Sequence, residues 1–197
     1  MRPTSRRDPE GTAGQGFTLI ELTIVLALLG IMLVIGMPAL LNMIHRSKVE
    51  GAVKQAAMEA RGARLQAVKQ SNTTFVEADL SGNRVVVWRD AGAEGWTPGT
   101  DELVRELALP EGMSFAGPAD DPAPTEGLPA ENYLTFKSTG EADVAGGIRF
   151  SDGRGNYLEL RVDPPATAKV TLLKWDATAA PPAWKAQGEG GKRWTWN

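Results

Sequence analysis

One apolar run limits what this chain can become. From Leu22 to Ile44 there are 23 consecutive residues without a charged side chain. At about 1.5 Å of rise per residue, roughly 20 apolar residues cross a bilayer core as one helix. A single carboxylate, Glu21, stands at the start of the run. An ionised group in lipid costs about 2.5–3.5 kcal/mol on insertion scales, so a carboxylate kept there calls for a partner, and an amine is the natural one. An ordinary secretory signal has a shorter apolar core, about 7–15 residues, and a small-residue cleavage site after it. Ser5-Arg6-Arg7 is followed by Asp8, Pro9 and Glu10, which does not suit a twin-arginine signal either.

The residues that open the run are Gly16-Phe17-Thr18-Leu19-Ile20-Glu21. They resemble the prepilin motif of type IV pilins and type II secretion pseudopilins. The resemblance implies a leader of residues 1–16, cut between Gly16 and Phe17 by a membrane peptidase that also methylates the new amino terminus on Phe17. Glu21 would then be the fifth residue of the mature chain. In the family that glutamate pairs with the terminal amine in the assembled fibre, which is the role expected here.

Charge bears on orientation. The leader carries Arg2, Arg6 and Arg7 against Asp8 and Glu10, which leaves 18 basic and 22 acidic residues in the mature part, a net of −4. Basic residues before the span and an acidic domain after it favour a cytoplasmic amino terminus and a periplasmic domain. There is no cysteine, so a domain in an oxidising compartment must hold together without disulfides.

Residues 17–70 read as one long helix, transmembrane over about 17–41. Gly36 and Pro38 interrupt it. Proline lacks the helical N–H and crowds the preceding turn, so a kink or local melting is expected there. His45, Arg46 and Lys48 mark the membrane surface. Beyond them Val49, Ala52, Val53, Ala56, Ala60, Ala63 and Ala67 recur at helical spacing, a narrow small-residue stripe suited to close docking on a sheet. Residues 71–197 form a separate β-rich domain. Strands are expected at Thr73–Glu77, Arg84–Arg89, Leu103–Leu107, Tyr133–Lys137, Gly147–Phe150, Tyr157–Val162 and Ala168–Trp175, with tight turns at Ser81-Gly82-Asn83 and Ser151-Asp152-Gly153. Short strands with short turns imply antiparallel sheets. The proline-rich stretches Gly117 to Pro129 and Asp176 to Lys192 read as surface loops, mobile or docked weakly.

The helix end Met58–Gln70, rich in alanine and arginine, and the segment Leu134-Thr135-Phe136-Lys137-Ser138-Thr139-Gly140 resemble the GspH/FimT branch of minor pseudopilins. Ile148–Gly155 is a looser second version of the latter segment. The branch implies an α+β, pilin-like fold, one long N-terminal helix on small antiparallel sheets.

Side chains for catalysis are scarce. His45 is the one histidine, so a Ser-His-Asp site would need it, while a usual zinc site needs several His or Cys ligands; in the membrane-surface segment of the helix an interfacial role is expected of it. Gly112-Met113-Ser114-Phe115-Ala116-Gly117 misses the nucleophile-elbow pattern by one position. Asp120, Asp121 and Glu126 offer oxygen ligands for calcium, but acidic proline-rich loops are usually solvated, so no metal and no cofactor is expected. Lys192, Arg193, Trp194 and Trp196 place cations beside aromatic rings, the chemistry that contacts nucleic acid, and some FimT-like proteins bind DNA through a basic carboxy-terminal segment. The acidic net charge opposes that reading, and packing of Trp194 and Trp196 on the sheet or a sheet edge is the plainer one. Trp88, Trp96, Trp175 and Trp184 are expected in or beside the core.

The reading that results is a structural subunit, not an enzyme: a minor pseudopilin of a type II secretion system, anchored in the bacterial inner membrane. The alternative is a FimT-like minor pilin of a type IV pilus, which primes pilus assembly or binds DNA for uptake. The partners implied are other pseudopilins or minor pilins, the prepilin peptidase and methyltransferase, an inner-membrane assembly platform and membrane lipid.

Overall fold

The computed structural model describes residues 17–92, 97, 100–121, 132–186, 194 and 196. The chain divides into two units at Ile44/His45. Helix α1, Leu19–Gln70, runs as one element of 52 residues. Helical structure continues through Gly36 and Pro38, so the local melting expected there does not occur. In the first unit the apolar side chains from Leu19 to Ile44 are exposed all round, as befits a helix whose solvent is not water. It is long and apolar enough to cross a membrane.

In the second unit the expected stripe is the buried one. Val49, Ala52, Val53, Ala56, Ala57, Ala60, Ala63 and Ala67 are all buried. Alanine gives the helix its best propensity and lets the backbone approach a sheet closely. The helix ends in a Schellman motif. Ser71 takes a left-handed conformation at φ 52°, and the Asn72 N–H donates to the Ala67 carbonyl at 3.1 Å.

Eight strands follow: β1 Thr74–Asp79, β2 Arg84–Arg89, β3 Glu102–Ala108, β4 Tyr133–Phe136, β5 Gly146–Ser151, β6 Tyr157–Val162, β7 Val170–Asp176 and β8 Ala183–Ala186. They form two four-stranded antiparallel sheets, ordered β3-β2-β1-β4 and β5-β6-β7-β8. One face of the first sheet meets α1, where the Thr74 hydroxyl donates to the Ala63 carbonyl at 3.0 Å. Val76, Ala78, Val85, Val87, Leu134 and Phe136 share the α1 core with Ile148, Phe150, Leu158, Leu160 and Val162 of the second sheet.

Two expectations need correction. The stretch Asp176 to Lys192 is not all loop, because β8 pairs with β7 and sets Trp184 opposite Trp175. Prolines before it hid a strand of only four residues. Strand β7 begins at Val170 rather than Ala168: Pro165–Thr167 makes a 3₁₀ turn, and Ala168 closes it in left-handed conformation at φ 44°. The other expected strands lie within about two residues of the observed ends.

Candidate assembly site

The start of α1 is a reciprocal capping box. The Thr18 N–H donates to Glu21 Oε2 at 2.9 Å, and the Glu21 N–H donates to Thr18 Oγ1 at 3.2 Å. The Thr18 hydroxyl also donates to Glu21 Oε2, at 3.0 Å. Two N–H groups that the helix leaves unpaired are thereby satisfied within one turn. The Thr18-Leu19-Ile20-Glu21 spacing is the sequence signature of this box, and it is the feature that names Thr18 as well as Glu21. The carboxylate faces back towards the chain start, where Phe17 is 92 % exposed. Gly16 lies outside the described residues. A carboxylate held in the first turn, among exposed Leu19, Ile20 and Leu22, is an acceptor for a cation and has little else polar near it.

Farther along α1, the single histidine sits where the second unit begins. His45 Nε2 lies 3.7 Å from Asp152 Oδ2 and makes no hydrogen bond among the described residues. Asp152 is buried and organises the β5–β6 turn by accepting from the N–H groups of Arg154 and Asn156 and from Asn156 Nδ2. His45 therefore packs against the β5–β6 turn of the globular unit. Ser114, the serine of the near-miss motif, is held in a backbone bridge to Ser151, donating at 3.0 Å and accepting at 2.8 Å.

The described part of the acidic loop is held in an ion-pair cluster. Its described part, ending at Asp121, docks firmly: Pro118 and Asp121 are buried. Asp121 accepts from Arg149 at 2.9 Å and from the Trp184 indole N–H at 2.9 Å. Arg149 also bonds Glu159 at 3.1 Å, and Arg161 bonds Glu159 at 2.6 Å. Arg149 is 2 % exposed and Glu159 fully buried, so the four charges balance within the protein. Trp184 stacks over the Arg149 guanidinium at 5.1 Å and meets Trp175 edge-on at 5.3 Å. Sequence reading missed this cluster. The clue lay in Ile148-Arg149-Phe150 and Leu158-Glu159-Leu160-Arg161-Val162, where charges alternate with apolar residues on neighbouring strands. Glu126 lies outside the described residues, and no cluster of acids, His or Cys that would hold a metal occurs among those described.

Of the carboxy-terminal residues, Lys192 and Arg193 lie outside the described residues. Trp194 and Trp196 pack against the core. The Trp194 indole N–H donates to the Lys185 carbonyl at 3.2 Å, and Trp196 lies 5.1 Å from the Lys174 ammonium. Burial holds the Lys174 pKa below its ordinary value, which the acids Asp152, Asp176 and Glu50 partly oppose. Trp96 lies outside the described residues; Trp88 donates to Glu77 at 2.8 Å on the outer face of the first sheet.

The glycine of the Leu134–Gly140 segment has a structural reason. Gly140 takes φ +86°, and a Cβ there would stand 2.9 Å from Val68 Cγ2. Its carbonyl accepts from Arg64 Nε at 2.7 Å, which ties the turn to the end of α1.

Comparison with known families agrees with this geometry. A family model described as type II transport protein GspH matches residues 52–166, and the prokaryotic N-terminal methylation motif matches residues 13–37. Among curated proteins no relative matches in sequence. Two solved structures of the minor pseudopilin EpsH from the type 2 secretion system of Vibrio cholerae are similar at 15 % identity and a TM-score of 0.36. One match covers 71 % of this chain and 97 % of that one; the other covers 71 % and 94 %.

Proposed function

This chain belongs to the type II transport protein GspH family and is a minor pseudopilin of type II secretion; from that premise we propose how its amino terminus enters the fibre. The leader is removed between Gly16 and Phe17, and Phe17 becomes the methylated first residue. The new amine lies within the same turn as Glu21, whose carboxylate the capping box already turns towards the chain start. That carboxylate receives a neighbour's terminal amine, or its own, and sets the register of the apolar helix among its neighbours. Desolvation makes the pair selective, because either charge left alone in apolar surroundings is costly.

The chain is anchored in the inner membrane by the apolar half of α1, amino terminus cytoplasmic before processing and domain periplasmic. Pro38 leaves one helical carbonyl unpaired and supplies a bend there. Its role is structural rather than enzymatic: the partners are other pseudopilins, the prepilin peptidase and methyltransferase, and the assembly platform. The single observation that carries the reading is the capping box inside a matched methylation motif, directly ahead of an exposed apolar helix.

Deletion of the gene, with proteomics of medium and periplasm, tests it. Exoproteins should vanish from the medium and accumulate in the periplasm, and the parent protein should begin at N-methylated Phe17 by mass spectrometry. An unchanged secretome with loss of surface pili would replace it with the pilus reading.

A further inference from the structure

Three cations line one groove of the globular unit, and none of them has a carboxylate partner among the described residues. Arg61 and Arg64 of α1 form one wall, Thr167 and Lys169 of the 3₁₀ turn and its exit the other, and Leu65 lies between. Arg61 donates one N–H to the Val170 carbonyl at 2.9 Å, and Arg64 donates its Nε to the Gly140 carbonyl at 2.7 Å. Both guanidiniums are thus fixed by backbone while most of their five donors stay available. Among the described residues no carboxylate pairs with Arg61, Arg64 or Lys169, whereas other arginines of the domain, such as Arg84, Arg89, Arg105, Arg149 and Arg161, each meet an acid. Leu65 is 69 % exposed in this groove. Its volume of about 670 Å³ accommodates several side chains.

We propose that this groove docks an extended acidic segment of a partner protein, with carboxylates on Arg61, Arg64 and Lys169 and an apolar side chain on Leu65. Charge complementarity carries the choice of occupant. The chain as a whole is acidic, at −3, so an unanswered basic groove is a local reversal of the surface charge. Arginines anchored through one N–H keep a planar fork for bidentate carboxylate contact and lose little freedom on binding. Nucleic acid suits the groove less well, since no aromatic ring lines it for base stacking. The groove belongs wholly to the second unit and Glu21 to the first, so the proposal does not depend on how the amino terminus assembles.

The test uses the full processed chain in detergent and a fluorescein-labelled peptide of about ten residues in which glutamate and leucine alternate. Fluorescence anisotropy should show saturable binding that weakens with added salt. Lys169→Glu should weaken it by at least about tenfold and Leu65→Ser by several-fold. Both side chains are exposed and bear no hydrogen bond of the fold, so unchanged circular dichroism is expected for each variant. The proposal is overturned if the parent does not bind the peptide, or if both variants bind like the parent. It is overturned equally if an oligothymidylate binds more tightly than the peptide with the same sensitivity to Lys169→Glu, which would make the groove a nucleic-acid surface.

Discussion

Glu21 caps the start of α1, and a single substitution separates that task from the assembly role proposed for it. Glutamine at the third helical position still accepts from the Thr18 N–H, so Glu21→Gln keeps the capping box and removes the charge. If the charge sets fibre register, Glu21→Gln should lower secretion by an order of magnitude or more while leaving the chain in the membrane and its leader cleaved. Secretion at the parent level would confine Glu21 to capping. Asp79 offers a pH test in the domain. The Ser81 hydroxyl, the Gly82 N–H and Arg84 all bond its carboxylate and hold its pKa well below the ordinary carboxylate value. A depressed pKa contributes stability above the unfolded value, near pH 4, and that contribution shrinks as the pH falls towards the folded value. The Asp79→Asn variant should therefore melt below the parent at neutral pH, and the gap should narrow in a melting series taken down to about pH 2. A constant gap would mean that the carboxylate charge is not what the turn uses.

At the scale of elements, the alanine stripe and the buried ion pairs make opposite demands. Ala60 is fully buried where α1 lies on the sheets. Ala60→Leu adds volume that the backbone contact cannot accept, so it should destabilise by about 1–3 kcal/mol in chemical denaturation, whereas the exposed Met58→Leu should change little. Arg149 joins three elements: β5, β6 through Glu159, and the Asp121 loop that Trp184 of β8 also grips. Arg149→Met leaves the buried acids Asp121 and Glu159 with fewer partners and should cost about 3–5 kcal/mol. A loss under about 1 kcal/mol would show that Arg161 and Trp184 suffice. The stripe was legible from Val49, Ala52, Ala56 and their successors because helical burial writes itself at three- and four-residue spacing. Seven strands were legible from alternation and turn residues. Strand β8 was not, because four residues after two prolines carry too little pattern, and its place depends on Trp184 meeting Trp175 across the sheet. The Asp121–Arg149–Glu159 cluster was hidden for the same reason: its members are far apart in sequence and meet only when β5, β6 and the acidic loop come together. The capping box, by contrast, is local, and its Thr18-Leu19-Ile20-Glu21 spacing stands in the sequence, but weight on the charge of Glu21 left the part of Thr18 unread.

At the scale of the whole molecule, the chain carries two kinds of surface with different solvents. From His45 onward apolar groups turn inward to α1 and the sheets, and the usual expulsion of water stabilises the fold. From Leu19 to Ile44 they turn outward on every side. Such a helix gains little hydrophobic free energy by leaving lipid for a bundle of similar helices, since acyl chains are as apolar as leucine. The transfer between bilayer and fibre is then close to level in energy, and small terms decide its direction. A filament built on that footing needs only modest work to extend, and its subunits return to the membrane at a similarly small cost.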